Sequence, residues 1–441
     1  MRNRALFTAA VFITLVPELT AQAPAPLRLG FADAVARAAG QAPAVTLAGL
    51  RTDEAGARVR ETRSALRPDF SLTAGWLHRT FNSHSLGISF GAFPLPDLIG
   101  PFNIYDARAY ASITLLDFAG HKRVDAAHAQ VTAAVSEGSA VTEATAQAAA
   151  GAYLRAVRAR SAVAARQSDS AIAGELLGLA QAQLKAGVSA TIDVTRARTQ
   201  FVSAEGGLIV ARNQFDRAKI DLLRALGLDS ATPIELTDTL SGALGAADVP
   251  GDRDAAVAQA LAGRPDLAAE IARGRAAAVT RSAMSAERLP RLDAAADFGV
   301  NGPRPDSLIG TGQVGLQVTL PILDGFRREG RMTEQDAVVR ESQVREQDLR
   351  QQIAADVDGA RLDLASAVAQ EAIAAERLQL AQDELAQARE RFKAGVAGNI
   401  EVIDAQSSLV RARDADIDAR FAAAAARVAL ARAVGVARTL H

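Results

Sequence analysis

The chain has 441 residues, with 49 Lys plus Arg against 50 Asp plus Glu, and contains no cysteine. The balanced charges are interspersed along helical stretches, which argues against nucleic acid as a partner, and the missing thiols exclude disulfides, thiolate metal sites and an acylated cysteine. Apolar residues make up 49% of the chain but aromatics only 4%, and an alanine-rich apolar share favours slim helical layers over a thick globular core.

Residues 1–21 read as a secretory signal: Arg2 and Arg4 are the charged start and Ala5 to Leu15 the apolar stretch. Leu19-Thr20-Ala21 or Ala21-Gln22-Ala23 supplies the small-residue cleavage site, so the cut falls after residue 21 or after residue 23. A buried N-terminal helix is the alternative. Beyond this segment no stretch reaches the roughly 18 to 20 apolar residues of a transmembrane helix, so the chain can enter a membrane only as β-structure.

The remainder divides into a first repeat over 22–228, a linker over 229–252 carrying Pro233 and Pro250, and a second repeat over 253–441. In the first, Pro43 opens a helix running to Arg67, with the proline at a permitted first-turn position. Period-two alternation follows in a strand pair at about 69–80 and 108–118: Phe70, Leu72, Ala74 and Trp76, then Ala109, Ala111, Ile113 and Leu115. Trp76 can mark a lipid headgroup boundary or serve simple packing. Phe81 to Tyr105, with Pro94, Pro96 and Pro101, reads as a surface loop. A long helix of about 100 Å is expected from His121 to Ala186, then a turn at Gly187 and a return helix ending near Leu228.

The second repeat retraces this path. Pro265 and Pro290 match Pro43 and Pro68 at a displacement of 222, and Lys393-Ala394-Gly395-Val396 matches Lys185-Ala186-Gly187-Val188 at 208. The first copy therefore holds about 15 extra residues, within Phe81 to Tyr105. Strands are expected at about 291–301 (Leu292, Ala294, Ala296, Phe298, Val300) and 312–321 (Val314, Leu316, Val318, Leu320), a long helix from Phe326 to Ala394, a turn at Gly395 and a return helix from Gly398 to Gly435. Leu378, Leu385 and Phe392 recur every seven residues, as do Val357 with Leu364 and Val402 with Leu409, the mark of a coiled-coil seam. The two shorter helices of each copy sum to nearly the length of the long one and could lie end to end beside it.

Four strands of about ten residues suit tilted membrane-spanning strands. Two hairpins on a soluble core are the alternative, but helices on the order of 100 Å leave the hairpins little else to pack against. Four strands cannot close a barrel and open edges are not tolerated in lipid, so several chains must complete one barrel.

The whole mature chain resembles the TolC-like outer-membrane efflux proteins. The resemblance rests on the duplicated unit, the Arg264-Pro265-Asp266-Leu267 helix start, and the turns Leu184 to Val188 and Phe392 to Val396, each followed by an acidic position and an aliphatic run at Ile192-Asp193-Val194 and Ile400-Glu401-Val402. It implies a mixed α/β membrane protein in which long antiparallel coiled-coil helices accompany four transmembrane β-strands per chain, with a homotrimer completing a twelve-stranded barrel. It also implies a periplasmic adaptor at the tunnel tip, an inner-membrane pump behind it and contact with outer-membrane lipid. The place would be the outer membrane of a Gram-negative bacterium, with most of the chain in the periplasm, and the function passive exit of small molecules, drugs or metals.

In that family acidic side chains narrow the periplasmic aperture shortly after the second turn, and Glu401 and Asp404 occupy the matching positions. Asp193 is the first-copy counterpart of Glu401, while Arg196 stands opposite Asp404. Without the resemblance these acids read as a solvated helix face. Lys185, Gly187, Val188, Lys393, Gly395 and Val396 become adaptor contacts, while the glycines also serve to end a helix and reverse the chain. A type I protein-secretion duct would share the architecture, and a secreted coiled-coil scaffold would explain the helices without the strands.

No catalytic, cofactor or metal site is expected. Gly310-Thr311-Gly312-Gln313-Val314-Gly315 fits a dinucleotide fingerprint but enters a strand instead of leaving one, and reads as a hairpin turn with small strand residues. His121 and His128 share a helix face without a partner of ligand spacing, and the sequence has no P-loop and no G-x-S-x-G.

Overall fold

A computed structural model describes residues 26–83, 96–240, 244–396 and 398–440; the signal segment lies outside them. The chain begins with strand β1 (Leu27–Leu29) and helices α1 (Phe31–Gln41) and α2 (Pro43–Ser64), followed by strands β2 (Asp69–Asn82) and β3 (Leu98–Asp117). Helix α3 (Phe118–Lys185) turns into α4 (Thr191–Ala225), and β4 (Ile234–Leu236) lies in the linker. The second half repeats the order with α5 (Arg253–Gly263), α6 (Pro265–Ala286), β5 (Arg291–Gly302), β6 (Ile309–Thr319), α7 (Arg327–Lys393) and α8 (Asn399–Val434).

Several of these elements extend the sequence reading. Helices α1 and α5 start 222 positions apart, at Phe31 and Arg253, so the duplication includes a helix pair that composition did not reveal. Inside the linker β4 pairs in parallel with β1, Leu29 facing Leu236. At two places the structure differs from what the sequence predicts. Both ends of the expected loop from Phe81 to Tyr105 are strand, since β2 continues to Asn82 and β3 starts at Leu98, while 84–95 lie outside the described residues: the alternation needed to see this is broken by a register shift between Arg79 and Phe81. Gly310 to Gly315 lies wholly inside β6 and forms no turn; the chain reverses between the end of β5 at Gly302 and Ile309.

At 68 residues, α3 is about 100 Å long. It packs against α2 and α4 and also against α6 and α8, while α7 packs along α6 and α8. The short helices abut end to end: a Cβ on Gly227, just past α4, would lie 2.6 Å from Pro43 Cδ at the start of α2, and one on Gly435, just past α8, 3.0 Å from Arg264 at the start of α6. Each copy is thus one long helix beside two half-helices.

The main core sits where the halves meet. Phe31 and Tyr153 pack edge to face at 5.7 Å, among Leu154, Val157, Leu222, Leu226 and Val428. The Tyr153 hydroxyl lies within donating distance of Leu29 O (2.8 Å) and Asp238 Oδ2 (2.7 Å), two acceptors for its one proton, and the same carboxylate accepts from Phe31 N–H at 2.7 Å. Burial, then the bond to Asp238, raises the phenol well above its ordinary value. A second core follows the seven-residue pattern: Leu385, Phe392, Val402 and Leu409 are buried together near the helix turns.

Candidate pore aperture and membrane-spanning sheet

β2, β3, β5 and β6 form one antiparallel sheet in that order. Residues directly opposite share a face, so the register sorts the side chains. One face carries Phe70, Leu72, Ala74 and Trp76, facing Ala111, Ala109, Ala107 and Tyr105, then Ala296, Phe298 and Val300, then Val314, Leu316 and Val318. It is apolar throughout, yet Val314 is 86% exposed, Leu72 79% and Phe70 77%. The opposite face holds Asp69, Ser71, Thr73, Arg108, Asp293, Asp297 and Gln313. There Arg108 pairs with Asp297 and donates to Thr311 Oγ1 at 2.9 Å, and Thr114 donates to Asp293 at 2.9 Å. Sequence reading had missed this polar network because its members lie about 190 positions apart. The sheet therefore has one face suited to hydrocarbon, one suited to water, and open edges on β2 and β6.

At the other end of the helices, both turns close in the same way. The amide of Gly187 donates to Leu184 O (3.1 Å) and that of Val188 to Gln183 O (3.0 Å); Gly395 donates to Phe392 O (3.1 Å) and Val396 to Arg391 O (3.0 Å). This is the paired-bond helix ending that needs a left-handed residue, met by Gly187 at φ 77° and Gly395 at φ 71°. Val188 and Val396 point to solvent, 75% and 69% exposed. Lys185 closes α3, and Lys393, the last residue of α7, pairs with Glu390 at 2.9 Å.

The three candidate acids stand differently. Asp193 accepts from the Ser189 hydroxyl (3.0 Å) and Ala190 N–H (3.3 Å), and Arg196 lies 3.9 Å away. Its carbonyl accepts from Asn399 Nδ2 at 2.9 Å, tying the start of α8 to α4. Glu401 pairs with Arg391 across the turn at 3.1 Å. Asp404 is exposed one turn further along α8. Glu401 and Asp404 thus share a helix face near the tip, with Asp193 on the neighbouring helix start.

The histidines are used locally: His121 Nδ1 lies 2.8 Å from Asp117 O, and His128 Nε2 3.1 Å from Arg63. Among the described residues no cluster of potential ligands could hold a metal ion, and no helix is long and apolar enough to cross a membrane.

A two-faced sheet carried on helices of about 100 Å suits the wall of a membrane-anchored duct. The chain belongs to the outer membrane efflux protein family, whose sequence profile matches residues 34–228 and 256–436. Solved structures share the fold. The outer membrane protein VceC of Vibrio cholerae is 20% identical, with 92% of this chain and 96% of that one covered at a TM-score of 0.73. The CmeC outer membrane channel of Campylobacter jejuni is 16% identical over 92% and 86%, with a TM-score of 0.79. The open state of the MtrE outer membrane channel of Neisseria gonorrhoeae is 18% identical over 93% and 90%, with a TM-score of 0.72. No curated protein sequence matches the chain significantly.

Proposed function

We propose that three copies of this chain form the outer-membrane exit channel of a tripartite efflux system, a passive duct for small molecules that reaches a periplasmic adaptor and, through it, an inner-membrane pump. The observation that carries the reading is the four-stranded sheet: its exposed apolar face demands lipid and its two open edges demand partner strands. Three four-stranded sheets joined edge to edge make twelve strands, within the range of outer-membrane barrels. The helices also leave faces for neighbouring copies. Exposed apolar residues on α4 recur at a seven-residue spacing, Val202 and Ile209, and α7 exposes Ile373 and Leu380 at that spacing, so each chain offers two unpartnered seams for neighbours.

At the tip, Glu401 and Asp404 from three copies ring the aperture, with Asp193 beside them. A ring of carboxylates attracts cations and repels anions. Lys185, Gly187, Val188, Lys393, Gly395 and Val396 form the surface that the adaptor meets, two exposed valines on rigid turns. Binding of a purified adaptor to Val188→Asp and Val396→Asp variants tests this contact: weakening by at least tenfold is expected, and unchanged binding contradicts it.

A further inference from the structure

The two hairpins of the sheet differ in height. β5 ends opposite Tyr105, which faces Gly302, whereas β3 reaches back to Leu98 and β2 runs on to Asn82. Leu98 to Ile104 and the facing part of β2 therefore run about 24 Å beyond the end of β5 at about 3.4 Å per residue, on the side away from the helices.

The polarity of the ribbon inverts along this extension. Within the sheet the face of Phe70, Leu72 and Ala74 is apolar, and the face of Ser71, Thr73 and Arg108 is polar. Above Trp76 the first face becomes polar. His78 faces Asn103, and the Asn103 side-chain oxygen lies 3.1 Å from Trp76 Nε1 and 2.9 Å from His78 Nδ1; Asn82 follows, and Leu98 opposite it is the one large apolar side chain on this stretch of the face. The second face becomes apolar: Leu77 opposite Ile104, Phe102 opposite Arg79, and Phe81 opposite Ile99. Within the strands the charge there is Arg79, which lies over the rings of Phe81 and Phe102 at 6.0 and 5.7 Å, so its cation is spent on aromatic faces; Asp97 comes just before β3, its carbonyl accepting from Ser83 N–H at 3.0 Å.

Below Trp76 the pattern is that of a wall with lipid outside and water inside; above it the pattern is that of a soluble sheet with water outside and an apolar layer inside. A two-stranded hairpin does not sustain such a face alone. We propose that the three copies of this hairpin lean over the barrel axis and cover one another's apolar faces, forming a narrow apolar constriction at the extracellular mouth. The proposal rests on the trimeric-channel reading. Three-fold symmetry turns the same face of each hairpin toward the axis, and twelve strands about 4.8 Å apart, tilted by about 40°, enclose a barrel roughly 24 Å across, so each hairpin has about twice the reach it needs. A constriction lined by Leu77, Phe81, Ile99, Phe102 and Ile104 resists wetting.

The chain has no native cysteine, which makes single-thiol tests clean. In purified, detergent-extracted particles, a short bis-maleimide should join two copies of the Ile99→Cys variant and leave the outward-facing Asn103→Cys variant uncoupled. In intact cells, a polymer-tagged maleimide should label Ser71→Cys, on the lumenal face below the constriction, at least tenfold faster when Phe81→Ser and Ile99→Ser are added. A three-fold particle in which Ile99→Cys stays uncoupled, or Ser71→Cys labels equally fast with and without the serines, would overturn the constriction alone. A particle without three-fold symmetry would remove the channel reading with it.

Discussion

Two carboxylates three positions apart on α8 are held unequally. Arg391 reaches Glu401 at 3.1 Å, while Asp404 is exposed and makes no hydrogen bond or ion pair among the described residues. If three copies ring an aperture, Asp404→Asn should raise single-channel conductance and weaken divalent-cation block several-fold, and Glu401→Gln should do so less, because Arg391 already offsets part of that charge. Equal block in wild type and Asp404→Asn, recorded in planar bilayers, would contradict the ring. The sequence placed both acids just after a turn but not their difference, since Arg391 becomes a partner only when that turn folds α8 back on α7. A second residue-scale case is Arg264, almost fully buried against Asp266 at 2.7 Å and Asp356 at 2.9 Å. Burial pushes the Asp266 carboxyl up, but the bonds from Arg264 outweigh it and hold the group below its ordinary 3.8. A lowered folded value means that this contribution is complete above the unfolded value and is lost as pH falls through the folded one. Because Asp266 and Asp356 are part-exposed, thermal unfolding should show Arg264→Ala destabilised by about 1.5–3 kcal/mol at pH 7, with the gap to wild type shrinking below pH 3.8. A gap that stays constant with pH would refute the assignment.

Among the elements, helices were the most legible part of the sequence. Proline-free stretches and seven-residue spacings located α3 and α7 to within a few residues of their ends, because a long helix repeats one simple pattern many times. Three-residue β1 and β4 carry no such repetition and exist only by pairing across 207 positions, Leu27 with Ile234. The extension of the first hairpin was hidden by its prolines and its register shift. Both tip turns rest on glycine in the left-handed region with open space around it, nothing lying within 4 Å of an added Cβ at Gly187 or Gly395. Gly187→Ala and Gly395→Ala should therefore each cost about 1 kcal/mol through backbone conformation alone, read as a lowered melting temperature; a loss above about 3 kcal/mol would mean that the turns are packed against something else. The sheet offers a sharper contrast. Val314→Arg, on the apolar face, should cost about 2–4 kcal/mol in lipid and reduce membrane-inserted protein, whereas Ser71→Arg on the polar face, opposite Tyr110, should be tolerated. If both variants insert equally well, the hairpins pack on a soluble partner and not in a bilayer.

For the molecule as a whole, the decisive features are what a single chain leaves unfinished: two sheet edges, an apolar sheet face, and exposed seams on α4 and α7. Duplication sets two copies of one helix and strand unit side by side in each chain, and in the proposed trimer three chains would supply six units around an axis. The measurement that tests this most directly is electron-microscope imaging of the full chain extracted in detergent from outer membranes. The expected particle is hollow and three-fold, a short barrel above a helical body about 100 Å long that narrows at the end bearing Glu401 and Asp404. A thin solid rod, or single chains that stay in solution without detergent, would contradict it.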